Sequence, residues 1–367
     1  MNICIVAGAR PNFIKVAPIL HACRNARQNG ADIDIKLVYA GSEDDVTLEP
    51  TLFTDLQIAP PDSYLGVVSE NLNEITGQVM SKFEDYLQHH KTDAVIVVDD
   101  LASTMAAAIV TKKQGLILAH LAAGTRSFDI TMPKEINRLV IDGLSDILFT
   151  AGISNNAVAN REGAELSKVY MVGNILIDNI RNNHARFTRP QILAEQGIMD
   201  GEYIVFTLNR KALMAARENL QRMLEAIITA AGNTPIIAPL HTKAADTVTQ
   251  LLPKDSTRFL ITAPMGYLDF SYLASHAKGI ITDSGNVAEE ATFNMVPCIT
   301  LNSYTEHIET VKEGTNVLVG EDPQQLQESL QQLAQGTWKE GHLPDRWDGR
   351  SAERILRILS EEIQKHH

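Results

Sequence analysis

The sequence predicts an α/β protein of two Rossmann-like, doubly wound domains, each built on a parallel sheet. Short apolar runs without period-2 alternation recur between helical stretches, the mark of strands covered on both faces. The chain has 367 residues, more than one core usually serves. A more polar stretch over 182–201 interrupts the pattern, which then resumes.

In the first half, strands are predicted at 3–7, 35–40, 94–98, 116–121, 147–150 and 169–172, with a helix over 12–27 after the first. The second half repeats the alternation at 203–207, 235–239, 259–262, 279–282, 298–301 and 316–319. After a segment rich in Gly, Trp and charge, Ile355, Leu356, Ile358, Leu359 and Ile363 give 352–364 the spacing of a closing amphipathic helix. The division expected is a first domain over 1–180, rejoined by a C-terminal helix over 351–367, and a second over 181–350. Two such halves facing a cleft place ligands at the carboxyl ends of their strands.

Composition narrows the function. Hydrophobic residues make up 44% and charged ones 21%, which excludes a disordered or fibrous chain. With 32 basic residues against 45 acidic, the net charge of −13 and the absence of a basic block argue against nucleic-acid and membrane partners. The opening residues resemble neither a signal peptide nor a membrane span, so a cytoplasmic protein is expected. Cys4, Cys23 and Cys298 lack CxxC spacing and read as core residues. No His/Asp/Glu cluster has ligand spacing, so no metal and no other cofactor is expected.

The strongest local signal runs from Ile280 to Ala291: a strand, the turn Asp283-Ser284-Gly285-Asn286, and a helix start. Such a start offers N–H groups and partial positive charge to a phosphate, and Gly285 permits close approach. Glu290, further along that helix, is placed to accept from a ribose. The plainer alternative is an N-cap serine. Arg10 and Lys15, after the first strand, form a second set able to neutralise a phosphate, or else a solvated helix start. Asp99 and Asp100 follow the apolar strand 94–98, where a carboxylate can act as general acid or base, or cap a helix. His120 and His241 also end strands, and a lone His is more often a hydrogen-bonded structural residue than a catalyst.

These residues, with others spread along the whole chain, resemble the non-hydrolysing UDP-N-acetylglucosamine 2-epimerases. The likeness shows in Gly8-Ala9-Arg10-Pro11 with Lys15, in His120…Ala123-Gly124 and Arg126-Ser127-Phe128-Asp129, and in Met132-Pro133…Glu135-Ile136-Asn137-Arg138. It continues through Val172-Gly173-Asn174…Asp178, Tyr267-Leu268-Asp269-Phe270, Thr282-Asp283-Ser284-Gly285, Glu289-Glu290 and Gly314-Thr315-Asn316. The resemblance implies a glycosyltransferase-B type fold, a homodimer, and a UDP-sugar substrate for surface polysaccharide synthesis. It implies uracil near Phe270, ribose on Glu290, and diphosphate on Ser284 and Gly285 with Arg10 facing it. Lys15, Asn209, Arg210, His241, Asn286 and His307 complete the binding set, and Asp100, Glu135 and His120 are the catalytic candidates.

Several positions depart from the family pattern. The Glu of His-Val-Glu-Ala-Gly is Ala122, the first Glu of Pro-Glu-Glu-x-Asn-Arg is Lys134, and the His of Thr-Gly-His-Arg is Asn209. His307 stands where the family has Arg, and Asp99 where it has Gly. Asn exchanges no proton near neutral pH and Ala carries no polar group. The expectation is therefore an epimerase interconverting UDP-GlcNAc and UDP-ManNAc by elimination and re-addition of UDP, impaired or altered at its reaction centre. The alternatives are a non-catalytic UDP-sugar binder or regulatory subunit, and a UDP-sugar glycosyltransferase.

Overall fold

The computed structural model describes residues 1–48, 50–163 and 167–366. The chain divides into two compact units, Met1–Asn182 with Asp345–His367, and Asn183–Pro344. Among the described residues, unit 1 has the strands β1 (Asn2–Ala7), β2 (Asp34–Tyr39), β3 (Ser63–Tyr64), β4 (Ala94–Val98), β5 (Ile117–Leu121), β6 (Ile147–Thr150) and β7 (Lys168–Met171). They form a parallel sheet in the order β3-β2-β1-β4-β5-β6-β7. Unit 2 has β8 (Ile204–Phe206), β9 (Ile236–Pro239), β10 (Phe259–Thr262), β11 (Gly279–Thr282), β12 (Cys298–Thr300) and β13 (Asn316–Leu318), ordered β10-β9-β8-β11-β12-β13.

Both sheets are doubly wound, and both reverse direction once: between β1 and β4 in unit 1, and between β8 and β11 in unit 2. At such a switch point the loops leave towards opposite faces and open a crevice at the carboxyl ends of the strands. The absence of period-2 alternation has its cause in the core of unit 2. Ile204, Phe206 and Ile236 pack into one apolar cluster while Tyr203, Val205 and Ile237 pack into another, so alternating side chains are buried alike.

The twelve strands read from sequence are all present, to within a residue or two at their ends, and β3 is an addition only two residues long. The first helix spans Arg10–Gln28 and the last Ser351–His366. That last helix is fastened to unit 1 by residues of the 172–178 segment. Buried Asp178 accepts from the N–H groups of Ser351 (3.0 Å) and Ala352 (2.8 Å), satisfying donors that a helix start leaves open. Gly173 has φ +97°, and a Cβ there would lie 2.1 Å from the carbonyl oxygen of Arg346, so only glycine lets the returning chain pass. Trp347, fully buried, donates from Nε1 to the carbonyl of Ala151 at 3.1 Å. Among the described residues no helix is long and apolar enough to cross a membrane.

Replacing Asp178 by alanine strands two buried N–H groups, and unit 1 is expected to lose about 1–3 kcal/mol of stability. Urea unfolding followed by circular dichroism measures this, and an unchanged midpoint would show that the helix start is satisfied by other means.

Candidate functional site

Unit 1 gathers its candidates at the β1/β4 switch point. Asp99 directly follows β4 with φ +60°, a left-handed conformation that asparagine and aspartate tolerate better than most side chains. Its carboxylate reaches across to the helix that follows β1, accepting from Asn12 Nδ2 at 2.7 Å and Lys15 Nζ at 2.5 Å. Asn12 in turn accepts through Oδ1 from the N–H groups of Gly8 (2.8 Å) and Ala9 (3.2 Å), which fixes the turn before Arg10. Lys15, expected on a phosphate, is thus ion-paired.

Asp100 is buried. Its Oδ2 accepts from Arg138 Nε (2.8 Å) and lies 2.7 Å from Nη2, while Lys134 Nζ stands 3.6 Å from Oδ1. Burial alone raises the Asp100 carboxyl, but Lys134, Arg138 and Lys15 outweigh it and hold the group below the usual carboxylate range. Asp100 is therefore an ionised acceptor with one oxygen outside the Arg138 fork.

Two expected acid–base residues are placed otherwise. Glu135, 1% exposed, accepts at Oε2 from the N–H (2.9 Å) and hydroxyl (3.0 Å) of Ser127 and from Arg138 Nη1 (3.1 Å), and at Oε1 from the N–H of Phe128 (3.0 Å). Although burial opposes it, these donors hold the carboxyl below its ordinary value, and its lone pairs are spent pinning the 122–132 loop. His120, also 1% exposed, has Nδ1 2.6 Å from Asp142 Oδ1 and Nε2 2.9 Å from the carbonyl of Asp99, so neither nitrogen is left for a ligand. Asp142 additionally accepts from the N–H of Gly124 (3.0 Å) and pairs with Arg126 (2.7 Å). Ala122 has φ +73°, another left-handed residue at the end of β5.

Unit 2 gathers its set at the β8/β11 switch point. Asp283 Oδ2 accepts from the backbone N–H groups of Asn209 (2.7 Å) and Arg210 (2.6 Å), tying the loop after β8 to the loop after β11. Arg210 Nη1 donates to Asn302 Oδ1 at 2.5 Å. The Oδ1 of Asp283 is buried at the switch point without a hydrogen-bond partner.

Ser284 begins the helix Gly285–Phe293 in extended conformation, yet its hydroxyl caps no helix N–H. A Cβ at Gly285 would meet nothing nearer than Glu289 Oε1 at 4.0 Å, so there is room beside the chain at this position. The plain capping role considered for Ser284 is thus unfilled. Asn286 is half-buried in the first turn, and Glu290 lies within the same helix, 8% exposed. Burial, with the Glu289 carboxylate adding to it, pushes the Glu290 carboxyl up to about 8. Phe270, on the helix Tyr267–Ser275, packs half-buried against the same core cluster as Val287. His307 is buried with Nε2 3.6 Å from Glu289 Oε1, and His241 is exposed at the start of the helix Thr242–Leu251, after β9.

Sequence reasoning missed Asn12, Asp142 and Asn302, and gave Arg138 no role. Asn12 alone left a local signal, a polar side chain three residues after the turn it closes. Among the described residues no group of His, Cys, Asp and Glu is arranged to hold a metal.

Comparison with known proteins gives the family and the fold. A family model described as UDP-N-acetylglucosamine 2-epimerase matches residues 25–360. The chain is 32% identical over 373 residues to a UDP-N-acetylglucosamine 2-epimerase of Methanocaldococcus jannaschii, covering 98% of this chain and 99% of that one. It is also 32% identical over 367 residues to a UDP-2,3-diacetamido-2,3-dideoxy-D-glucuronate 2-epimerase of Pseudomonas aeruginosa, covering 98% and 100%. The crystal structure of the M. jannaschii UDP-GlcNAc 2-epimerase in complex with UDP-GlcNAc and UDP superposes with TM-score 0.84 at 31% identity, over 98% of this chain and all (100%) of that one.

The Glu290 carboxyl sets a pH dependence. It is neutral in the folded unit but ionises in the unfolded chain above its ordinary value of 4.5, so its contribution to stability is complete below that pH and is lost as pH rises to about 8. Glu290→Gln stays neutral throughout, so thermal unfolding of the variant should match the parent near about pH 5 and exceed it near about pH 9. Parallel curves for the two proteins would rule this out.

Proposed function

The chain belongs to the UDP-N-acetylglucosamine 2-epimerase family, and we propose that it interconverts UDP-GlcNAc and UDP-ManNAc by elimination and re-addition of UDP. One observation supports the proposal: Ser284, Gly285 and Glu290 follow β11 at the switch point of unit 2, and Asp100 follows β4 at that of unit 1. The helix start at Ser284-Gly285 offers N–H groups and partial positive charge to the diphosphate. Glu290, as a neutral carboxyl, can both donate to and accept from ribose hydroxyls. Asp100 is the ionised base, and its Oδ1, outside the Arg138 fork, is the oxygen that takes the proton from carbon 2 as UDP departs. Lys134, beside that oxygen, replaces a family carboxylate with a cation. In this reading the protein is a cytoplasmic homodimer serving polysaccharide synthesis.

A second reading, a UDP-sugar binder without turnover, is favoured by a specific observation. Ala122 and Asn209 exchange no protons, and Glu135 and His120 are fully engaged in holding loops. Each lost acid–base group lowers a rate by about two to four orders of magnitude, without simple additivity.

The deciding assay incubates the purified protein with UDP-GlcNAc in heavy water and follows it by NMR. Deuterium at carbon 2 with UDP-ManNAc formed is the expected result; UDP binding without exchange selects the binder, and release of UDP only with an acceptor selects transfer. Asp100→Asn should abolish exchange while keeping UDP affinity within about twofold, since the lost group acts on the transition state. Restoring Ala122→Glu, Lys134→Glu and Asn209→His together should raise the rate; Ala122 already bears a Cβ in the left-handed conformation, so Glu there adds no new backbone cost.

A further inference from the structure

We propose that Asp99 is a built-in anion that occupies Lys15 and weakens the hold of unit 1 on the phosphate of its nucleotide ligand. The inference rests on the UDP-sugar reading above and adds an affinity-setting residue to it.

The helix Arg10–Gln28 opens with a cation, has no acidic residue in its first turn, and carries Lys15 little more than a turn further on. Cations at the positive end of a helix are unfavourable unless an anion stands with them. In the structure that anion is Asp99, whose Oδ1 lies 2.5 Å from Lys15 Nζ and whose Oδ2 is anchored by Asn12. The side chains are 13% and 20% exposed, so the pair is reachable by a ligand but shielded enough for its attraction to count.

The backbone gives a second, independent indication. Asp99 sits at φ +60°, where glycine is the residue of least strain, and a strained side chain at a switch point calls for a reason. The bond from Asn12 that ties the two loops together needs only an acceptor oxygen, which a neutral amide side chain would also supply. What the carboxylate adds is negative charge on Lys15. A diphosphate approaching Lys15 must share that cation with Asp99 or displace it, and it meets like charge while doing so.

The local charge then predicts an ordered series. The pair is neutral in the parent, one unit positive in Asp99→Asn, one unit negative in Lys15→Met, and neutral again in the double variant. UDP affinity measured by calorimetry on the full chain should rise about tenfold in Asp99→Asn, fall by about as much in Lys15→Met, and return close to the parent value when both are changed. Asparagine tolerates the left-handed conformation, and Asp99→Gly, which also relieves it, should repeat the gain and so covers a folding failure of the first variant. A parent protein that binds UDP while neither Asp99 variant binds it more tightly overturns the inference alone. A parent that does not bind UDP overturns the nucleotide reading and this inference with it.

Discussion

The constraint on which the rest depends is the reversal of strand order in each sheet. A parallel sheet satisfies its backbone groups internally, but where it changes direction two loops leave its carboxyl edge with nothing to hold them together. Both units meet this need with an aspartate just after the strand that opens the second half of the sheet. Asp283 clasps the backbone N–H groups of Asn209 and Arg210, and Asp99 clasps the side chains of Asn12 and Lys15. The difference has consequences. A clasp on backbone N–H groups consumes donors that a ligand would not need, whereas a clasp on Lys15 consumes a cation that a phosphate would.

Around the clasp of unit 1, most ionisable groups are committed to structure. Arg138 bridges Asp100 and Glu135, and Asp142 receives His120, Arg126 and the N–H of Gly124. Buried charges persist only when paired and hydrogen-bonded, and removing one member leaves its partner uncompensated at a cost of about 3–5 kcal/mol. Such a network rigidifies the 122–132 loop and fixes Asp100, and it does so by using up lone pairs and protons that chemistry would otherwise employ. Asp100 keeps one oxygen outside the Arg138 fork, faced by Lys134 at 3.6 Å, because Arg138 approaches only one side of its carboxylate.

The strands were legible because burial on both faces leaves a short apolar run, and the alternation with helices ordered them into doubly wound sheets. β3 was not, since two residues make no pattern. The strand, turn and helix start from Ile280 to Ala291 were legible for a related reason: they are contiguous, so the sequence displays them together. The side-chain network of unit 1 was not. His120 and Asp142 lie 22 residues apart and Lys15 and Asp99 lie 84 apart, and no local rule says which carboxylate will claim which base. The donors that surround Glu135 were not legible either, because its position in a motif carries no information about how many there are.

The two halves of the proposed task answer differently to substitution, and this explains how one can persist while the other changes. Holding a diphosphate relies on backbone N–H groups and a helix start, which depend on conformation and survive most side-chain replacements. Moving a proton relies on a particular side chain at a particular place, and a single change to Ala or Asn removes it outright. In the proposed reading, Ala122 and Asn209 would be changes of the second kind, while the helix start at Ser284-Gly285 would retain the first. Lys134 belongs to neither class. By placing a cation 3.6 Å from the remaining oxygen of Asp100, it stabilises the carboxylate and makes that group a weaker base. In the proposed reaction, Asp100 must therefore draw its strength as a base from what surrounds it once the sugar is bound, because exclusion of water strengthens every charge interaction in the site.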